Sequence, residues 1–87
     1  MSDKINELPP TVLVAGLEFP EGPAFDRQGR LWAVELHGGN LVCLADGQLR
    51  RIPVGGEPNG IAIDAADRIV FCDAGHCGIR RYDPATD

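Results

Sequence analysis

Glu21, Glu35, His37, Asn59, Asp73 and His76 are the side chains of this 87-residue sequence whose types and spacing could do chemistry. Four carry carbonyl or carboxylate oxygens and two carry imidazoles. Oxygen donors of this kind, gathered at one place, suit a hard cation such as calcium. Glu21 stands in Pro20-Glu21-Gly22-Pro23 and Asn59 in Pro58-Asn59-Gly60-Ile61. Glu35 and Asp73 each close an apolar run, and His37 and His76 come after them in glycine-bearing turns. Cys72, His76 and Cys77 also have metal-ligand types. A structural zinc site takes four ligands at recognised spacings, and no second pair in the sequence completes this one. The group reads more simply as a buried strand cysteine followed by a polar turn. The sequence has no nucleophile elbow, phosphate loop or Ser-His-Asp order that would suggest other chemistry.

The candidate residues recur in step. A shift of 38 positions lays residues 20–26 over 58–64 without a gap, Arg30-Leu31 over Arg68-Ile69, Glu35 over Asp73 and Leu41 over Ile79. Periods of about 20–50 residues mark solenoids, propellers and arrays. Within one unit the pattern predicts short strands. Residues 23–26 and 61–64 are apolar runs ending in Asp; 30–35 and 68–73 are apolar on both faces, as strands covered on both sides should be. Third strands are expected at 40–44 and 79–82, and Asp46-Gly47 turns the chain into a fourth at 49–54, where Pro53 requires an edge. By the same offset residues 11–16 match that fourth strand.

The expected fold is therefore all-β: about two four-stranded antiparallel blades of a β-propeller, preceded by a tail at 1–10. The two 38-residue units span 11–48 and 49–86. A small barrel or a pair of β-meanders would explain the strands but not the repeat. Antiparallel order places the start of each first strand beside the end of each second. All six candidate residues are then expected at one rim, with Glu21 and Asn59 nearest the axis. Trp32 is expected to pack between blades, Asp26 and Asp64 to brace turns, and Arg50-Arg51 and Arg80-Arg81 to line solvated strand faces.

Composition narrows the function classes. Apolar residues at 44% and charged residues at 24% are those of a folded domain, and a net charge of −5 gives no basic footprint for nucleic acid or an anionic membrane. No apolar run is long enough for a membrane helix, and the first seven residues lack a secretory core. With three cysteines, too few for a disulfide scaffold, the expected compartment is reducing and cytoplasmic.

Phe19-Pro20-Glu21-Gly22-Pro23, with Asp26 and Gly29-Arg30-Leu31-Trp32 after it, resembles the first blade of the senescence marker protein/gluconolactonase/luciferin-regenerating family. Pro58-Asn59-Gly60-Ile61-Ala62 and Asp83-Pro84 extend the resemblance into a second blade. It implies a six-bladed propeller, a hydrolase of lactones or similar cyclic esters, and one divalent metal over the central channel: calcium, with zinc and manganese as alternatives. It implies Glu21 as the first-blade ligand. Asn59 is a weaker candidate for metal or substrate, while Glu35, His37, Asp73 and His76 are rim residues open to substrate contact. The late-blade aspartate such an enzyme needs as ligand and base has no counterpart here. The chain is thus expected to be an N-terminal portion, inactive alone, whose partners are the remaining blades or further copies of itself. Two other readings keep the propeller. A streptogramin-lyase-like enzyme shares the Gly-Ile-Ala-x-Asp blades, and an NHL-like interaction module would carry no metal.

Overall fold

Seven short strands, each alternating its side chains between two faces, build the fold. The structure, a computed structural model, describes residues 9–86, so most of the expected tail at 1–10 lies outside the described residues. The strands are β1 (Pro20–Phe25), β2 (Leu31–Glu35), β3 (Asn40–Ala45), β4 (Gln48–Pro53), β5 (Pro58–Ile63), β6 (Ile69–Asp73) and β7 (Gly78–Tyr82). They form two antiparallel meanders: sheet 1 in the order β1-β2-β3-β4 and sheet 2 in the order β5-β6-β7. Among the described residues a single 3-10 turn, Ala74–His76, interrupts the pattern. Among the described residues no helix is long and apolar enough to cross a membrane. The protein is all-β.

Asp46 and Gly47 both take positive φ, 51° and 74°, as a tight hairpin between twisted strands requires. Pro53 ends β4 on the outer edge of sheet 1, where no ladder donor is missed. The first strand of each unit begins three residues earlier than the apolar pattern predicts, at Pro20 and Pro58. Proline is tolerated as the first residue of an edge strand, and a bulge accommodates the residues after it. The register slips between Glu21 and Ala24 in β1 and between Asn59 and Ile61 in β5. Gly22 (φ 59°) and Gly60 (φ 66°) occupy the slips in the left-handed region that favours glycine.

The two sheets meet front to back. Trp32, Val34, Leu41, Cys43 and Ile52 lie on one face of sheet 1 and form a core with Ile69 and Phe71 of sheet 2, backed by Ile61, Ile63 and Tyr82. Through the offset of 38, Ile69 and Phe71 match Leu31 and Ala33, which lie on the opposite face of sheet 1. Equivalent strands thus bury opposite faces. Trp32 is 1% exposed between the sheets, its ring 6.2 Å from that of Tyr82. The first strands come closest: a Cβ on Gly22 would lie 2.9 Å from Gly60 Cα and 2.9 Å from Ile61 N. Arg27 joins the turns at the far end, its N–H donating to Asp67 Oδ1 at 2.9 Å and Nη1 to the Ala65 carbonyl at 2.9 Å.

Residues 11–16 form no strand, contrary to the alignment with β4. Extended chain becomes a strand only where an edge offers ladder partners. Among the described residues nothing lies beside the segment to do so, yet its end is anchored. Arg51 Nη2 donates to the Gly16 carbonyl at 3.2 Å, as Arg80 Nη1 donates to the Val54 carbonyl at 2.8 Å, and Gly16 and Val54 are themselves 38 apart.

The close approach at Gly22 makes a test. Gly22→Ala carries both the cost of a left-handed alanine, about 1–2 kcal/mol, and the clash with β5. Gly29→Ala, at φ 79° with nothing within 4 Å of its Cβ, carries only the first. Urea midpoints are expected to fall by clearly more for Gly22→Ala. Equal losses would contradict backbone contact between β1 and β5.

Candidate functional site

Four carboxylates are used up in holding the fold. Asp26 accepts from the N–H groups of Gln28 and Arg30 at 2.9 Å each, from Arg30 Nε at 2.5 Å and from Trp32 Nε1 at 3.0 Å. Asp64 repeats the brace, accepting from Ala66 N–H at 2.9 Å, Arg68 N–H at 3.0 Å and Arg68 Nε at 2.8 Å. Both act as the turn aspartates the sequence suggests, tying the strand-one turn to the arginine that opens strand two. Burial raises the Asp26 carboxyl, but the bonds from Trp32 and Arg30 outweigh it and leave it below the ordinary carboxylate range. The Arg68 and Ala66 bonds lower Asp64 likewise.

Glu35 and Asp73 form a second matched pair, at the ends of β2 and β6. Glu35 accepts from Glu18 N–H at 2.9 Å, Asn40 Nδ2 at 2.8 Å and Arg51 Nε at 2.9 Å. Asp73 accepts from Glu57 N–H at 2.9 Å, His76 N–H at 3.2 Å, Arg80 Nη1 at 2.9 Å and the His76 ring Nδ1. Both carboxylate side chains are fully buried. Burial pushes Glu35 up, but Arg51, Asn40 and the Glu18 amide pull it down to about 2. For Asp73 the His76 bond is the largest influence; with Glu57 N–H and Arg80 it overrides burial and holds the carboxyl far below its usual range. Arg51 and Arg80 keep 46% and 38% of their side chains exposed, as a solvated face would, yet their guanidinium groups reach buried carboxylates. Register places Arg51 beside Val42 on the Glu35 side of sheet 1 and Arg80 beside Phe71 on the Asp73 side of sheet 2, so each meets a buried carboxylate.

The antiparallel register puts Pro20 opposite Glu35 and Pro58 opposite Asp73, so the candidate residues gather at one end of the sheets. Their surroundings differ sharply. Glu35 and Asp73 lie below the surface with their oxygens engaged. His76 is exposed but tied to Asp73. His37 is exposed with its ring edge-on to Phe19 at 4.8 Å. Glu21 is half-buried and Asn59 exposed, and neither side chain has a hydrogen-bond or ion-pair partner among the described residues. Glu21 is opposite Val34 and Asn59 opposite Cys72, one residue before the touching Gly22 and Gly60. They hold equivalent places in neighbouring first strands.

A shallow hollow beside Asn59, lined also by Gly60, Cys72, Ala74 and Cys77, opens at this end. A different hollow lies at the far end between the turns, walled by Gln28, Arg30, Asp67 and Asp83, groups already committed to turn bonds. The end that carries Glu21 and Asn59 is the candidate site. Among the described residues no three His, Cys, Asp or Glu side chains come together as a metal cluster. Sequence reasoning missed Arg51, Arg80 and Asn40 as partners of the buried carboxylates. Counting residues of one parity on adjacent strands would have found them. No family model matches this chain, and no curated protein sequence matches it.

The buried carboxylates set a pH response. Glu35 has its folded-state value lowered from 4.5 to about 2. Its contribution to stability is therefore complete above pH 4.5 and is lost as the pH falls towards 2. Glu35→Gln is expected to cost roughly 1–3 kcal/mol at neutral pH, as for a hydrogen bond to a charged group. It is also expected to flatten the fall in urea midpoint between about pH 5 and 3. An unchanged acid slope in the variant would contradict the role given to Glu35.

Proposed function

We propose that the two sheets are neighbouring blades of a β-propeller, and that the chain contributes the first ligands of a divalent-metal centre hydrolysing a lactone or similar cyclic ester. The observation that carries this reading is the contrast between Glu21 and the other recurring carboxylates. Asp26, Glu35, Asp64 and Asp73 are each satisfied by N–H donors, whereas Glu21 has an oxygen pair with no partner among the described residues. A cation would give this half-buried carboxylate the partner that Asp26, Glu35, Asp64 and Asp73 find in N–H donors. Asn59 offers a neutral oxygen at the equivalent place in the next sheet. The resemblance carried by Pro20-Glu21-Gly22-Pro23 supports the same assignment.

Carboxylate and amide oxygens fit a hard divalent ion, calcium first. When bound, the metal would polarise the ester carbonyl and lower the pKa of a coordinated water. Glu21 would hold charge against the ion, and Asn59 would orient it or the substrate. The bulges at Gly22 and Gly60 fix both side chains at the inner ends of their sheets. In this reading Glu21 and Asn59 supply binding and orientation rather than the base.

Two ligands make a poor site. A single chain is expected to bind calcium with Kd of about 10⁻³ M or weaker, to lose that response in Glu21→Gln, and to show no lactone hydrolysis. Isothermal titration and a lactone assay on the purified chain decide. A micromolar site, a response unchanged in Glu21→Gln, or measurable turnover would each contradict the reading.

A further inference from the structure

The contact between the two sheets is asymmetric, and it leaves its own two halves unused on the outside. Sheet 1 presents its front (Trp32, Val34, Leu41) to the back of sheet 2 (Ile69, Phe71, with Ile63). The front of sheet 2 carries the counterparts Val70, Cys72 and Ile79, and the back of sheet 1 carries exposed Phe25 beside half-buried Leu31 and Ala33 and buried Val42. Leu41 is 0% exposed, whereas its counterpart Ile79 is 74% exposed. Cys72 is exposed where Val34 is buried, and Phe25 is 66% exposed where Ile63 is half-buried. An apolar hollow of about 240 Å³, lined by Ala62, Val70, Phe71, Cys72 and Ile79, opens on the front of sheet 2. These faces match each other by the same residue correspondence that already packs one sheet on the next.

The strand edges point to the same partner. Sheet 2 has three strands, and its β7 edge is unpaired among the described residues. Residues 11–16 are unpaired as well, with Val12 and Leu13 largely exposed, yet Gly16 sits on Arg51 as Val54 sits on Arg80. The end of the segment, at Gly16, thus meets an arginine on the back of sheet 1 as Val54, just after β4, meets one on the back of sheet 2. The segment's match to β4 suits it to be the fourth strand of a sheet covering the back of sheet 1, and the sheet formed by β5, β6 and β7 has three strands among the described residues.

We propose that copies of this chain associate head to tail: the front of sheet 2 in one copy packs on the back of sheet 1 in the next, and residues 11–16 of the second copy pair with β7 of the first. The contact is heterologous, so it closes into a ring or continues as an array rather than stopping at a two-fold dimer. It buries both apolar faces and removes an open sheet edge. The proposal rests on sheet packing and is independent of whether Glu21 holds a metal.

Because Ile79 and Phe25 are both exposed, Ile79→Asp and Phe25→Asp leave the single chain folded, which circular dichroism verifies, and each disables one half of the contact. Sedimentation of the wild-type chain at about 50 μM is expected to give species larger than a monomer, and each variant alone is expected to be monomeric. An equimolar mixture of the two variants retains one intact front and one intact back, so it is expected to form one-to-one dimers and nothing larger. A folded wild-type monomer, variants that still assemble, or a mixture that stays monomeric would overturn the proposal. The calcium titration is then read on the Ile79→Asp chain, which keeps the metal reading separate from assembly.

Discussion

A strand that is apolar on both faces needs cover on both sides, and this requirement shapes everything else in the molecule. Residues 31–35 and 69–73 are such strands, each placed in the interior of its sheet. Two sheets alone can satisfy half of the requirement. The chain does so by setting the front of one against the back of the other, burying Trp32, Val34 and Leu41 against Ile69 and Phe71. The same geometry leaves one complementary front and one complementary back outside. A front-to-front pair would have been closed; a front-to-back pair is open by construction.

Charge distribution depends on that packing. The turns and strand ends that surround the core carry carboxylates at fixed places in each unit, and burial obliges them to find donors. Asp26 and Asp64 take theirs from the turn and the next arginine. Glu35 and Asp73 take theirs from an outer-strand arginine and a backbone N–H of the incoming chain. These bonds lower the carboxyl values and make them ionised parts of the scaffold at neutral pH. Glu21, on the first strand where the sheets touch through glycine, is left outside this arrangement. Position in the sheet, more than residue type, separates a structural carboxylate from a candidate ligand.

The strands, their antiparallel order and the structural role of Asp26 and Asp64 were legible because they depend on local pattern: alternation, turn residues and the 38-residue repeat. Trp32 was legible as packing for the same reason. Arg51 and Arg80 were not, since a pair of adjacent arginines reads as a wet face. Only the strand register reveals that one member of each pair shares a side with a buried acid. The early starts of β1 and β5 were hidden by their prolines, which local rules place outside strands and which an edge with a bulge admits. Residues 11–16 show the converse limit. Their pattern is that of a strand, but a strand exists only with its neighbour, and the described residues supply none. At the site, the types of Glu21 and Asn59 were readable from the sequence, while their lack of partners among the described residues became visible only with the hydrogen bonds of the other carboxylates in place.

The central claim is that the exposed faces and the unpaired segment belong to one repeating contact between copies. Amide hydrogen exchange at residues 11–16 tests it most directly, comparing the wild-type chain with Ile79→Asp at the same concentration. Ile79 lies on the front of sheet 2 and Gly16 at the back of sheet 1, with the packed sheets between them, so the proposed contact links the two through a neighbouring copy. Slow exchange at 11–16 in the wild type, becoming fast in Ile79→Asp while β2 and β3 stay protected in both, is the result expected. Fast exchange at 11–16 in both chains would contradict the claim.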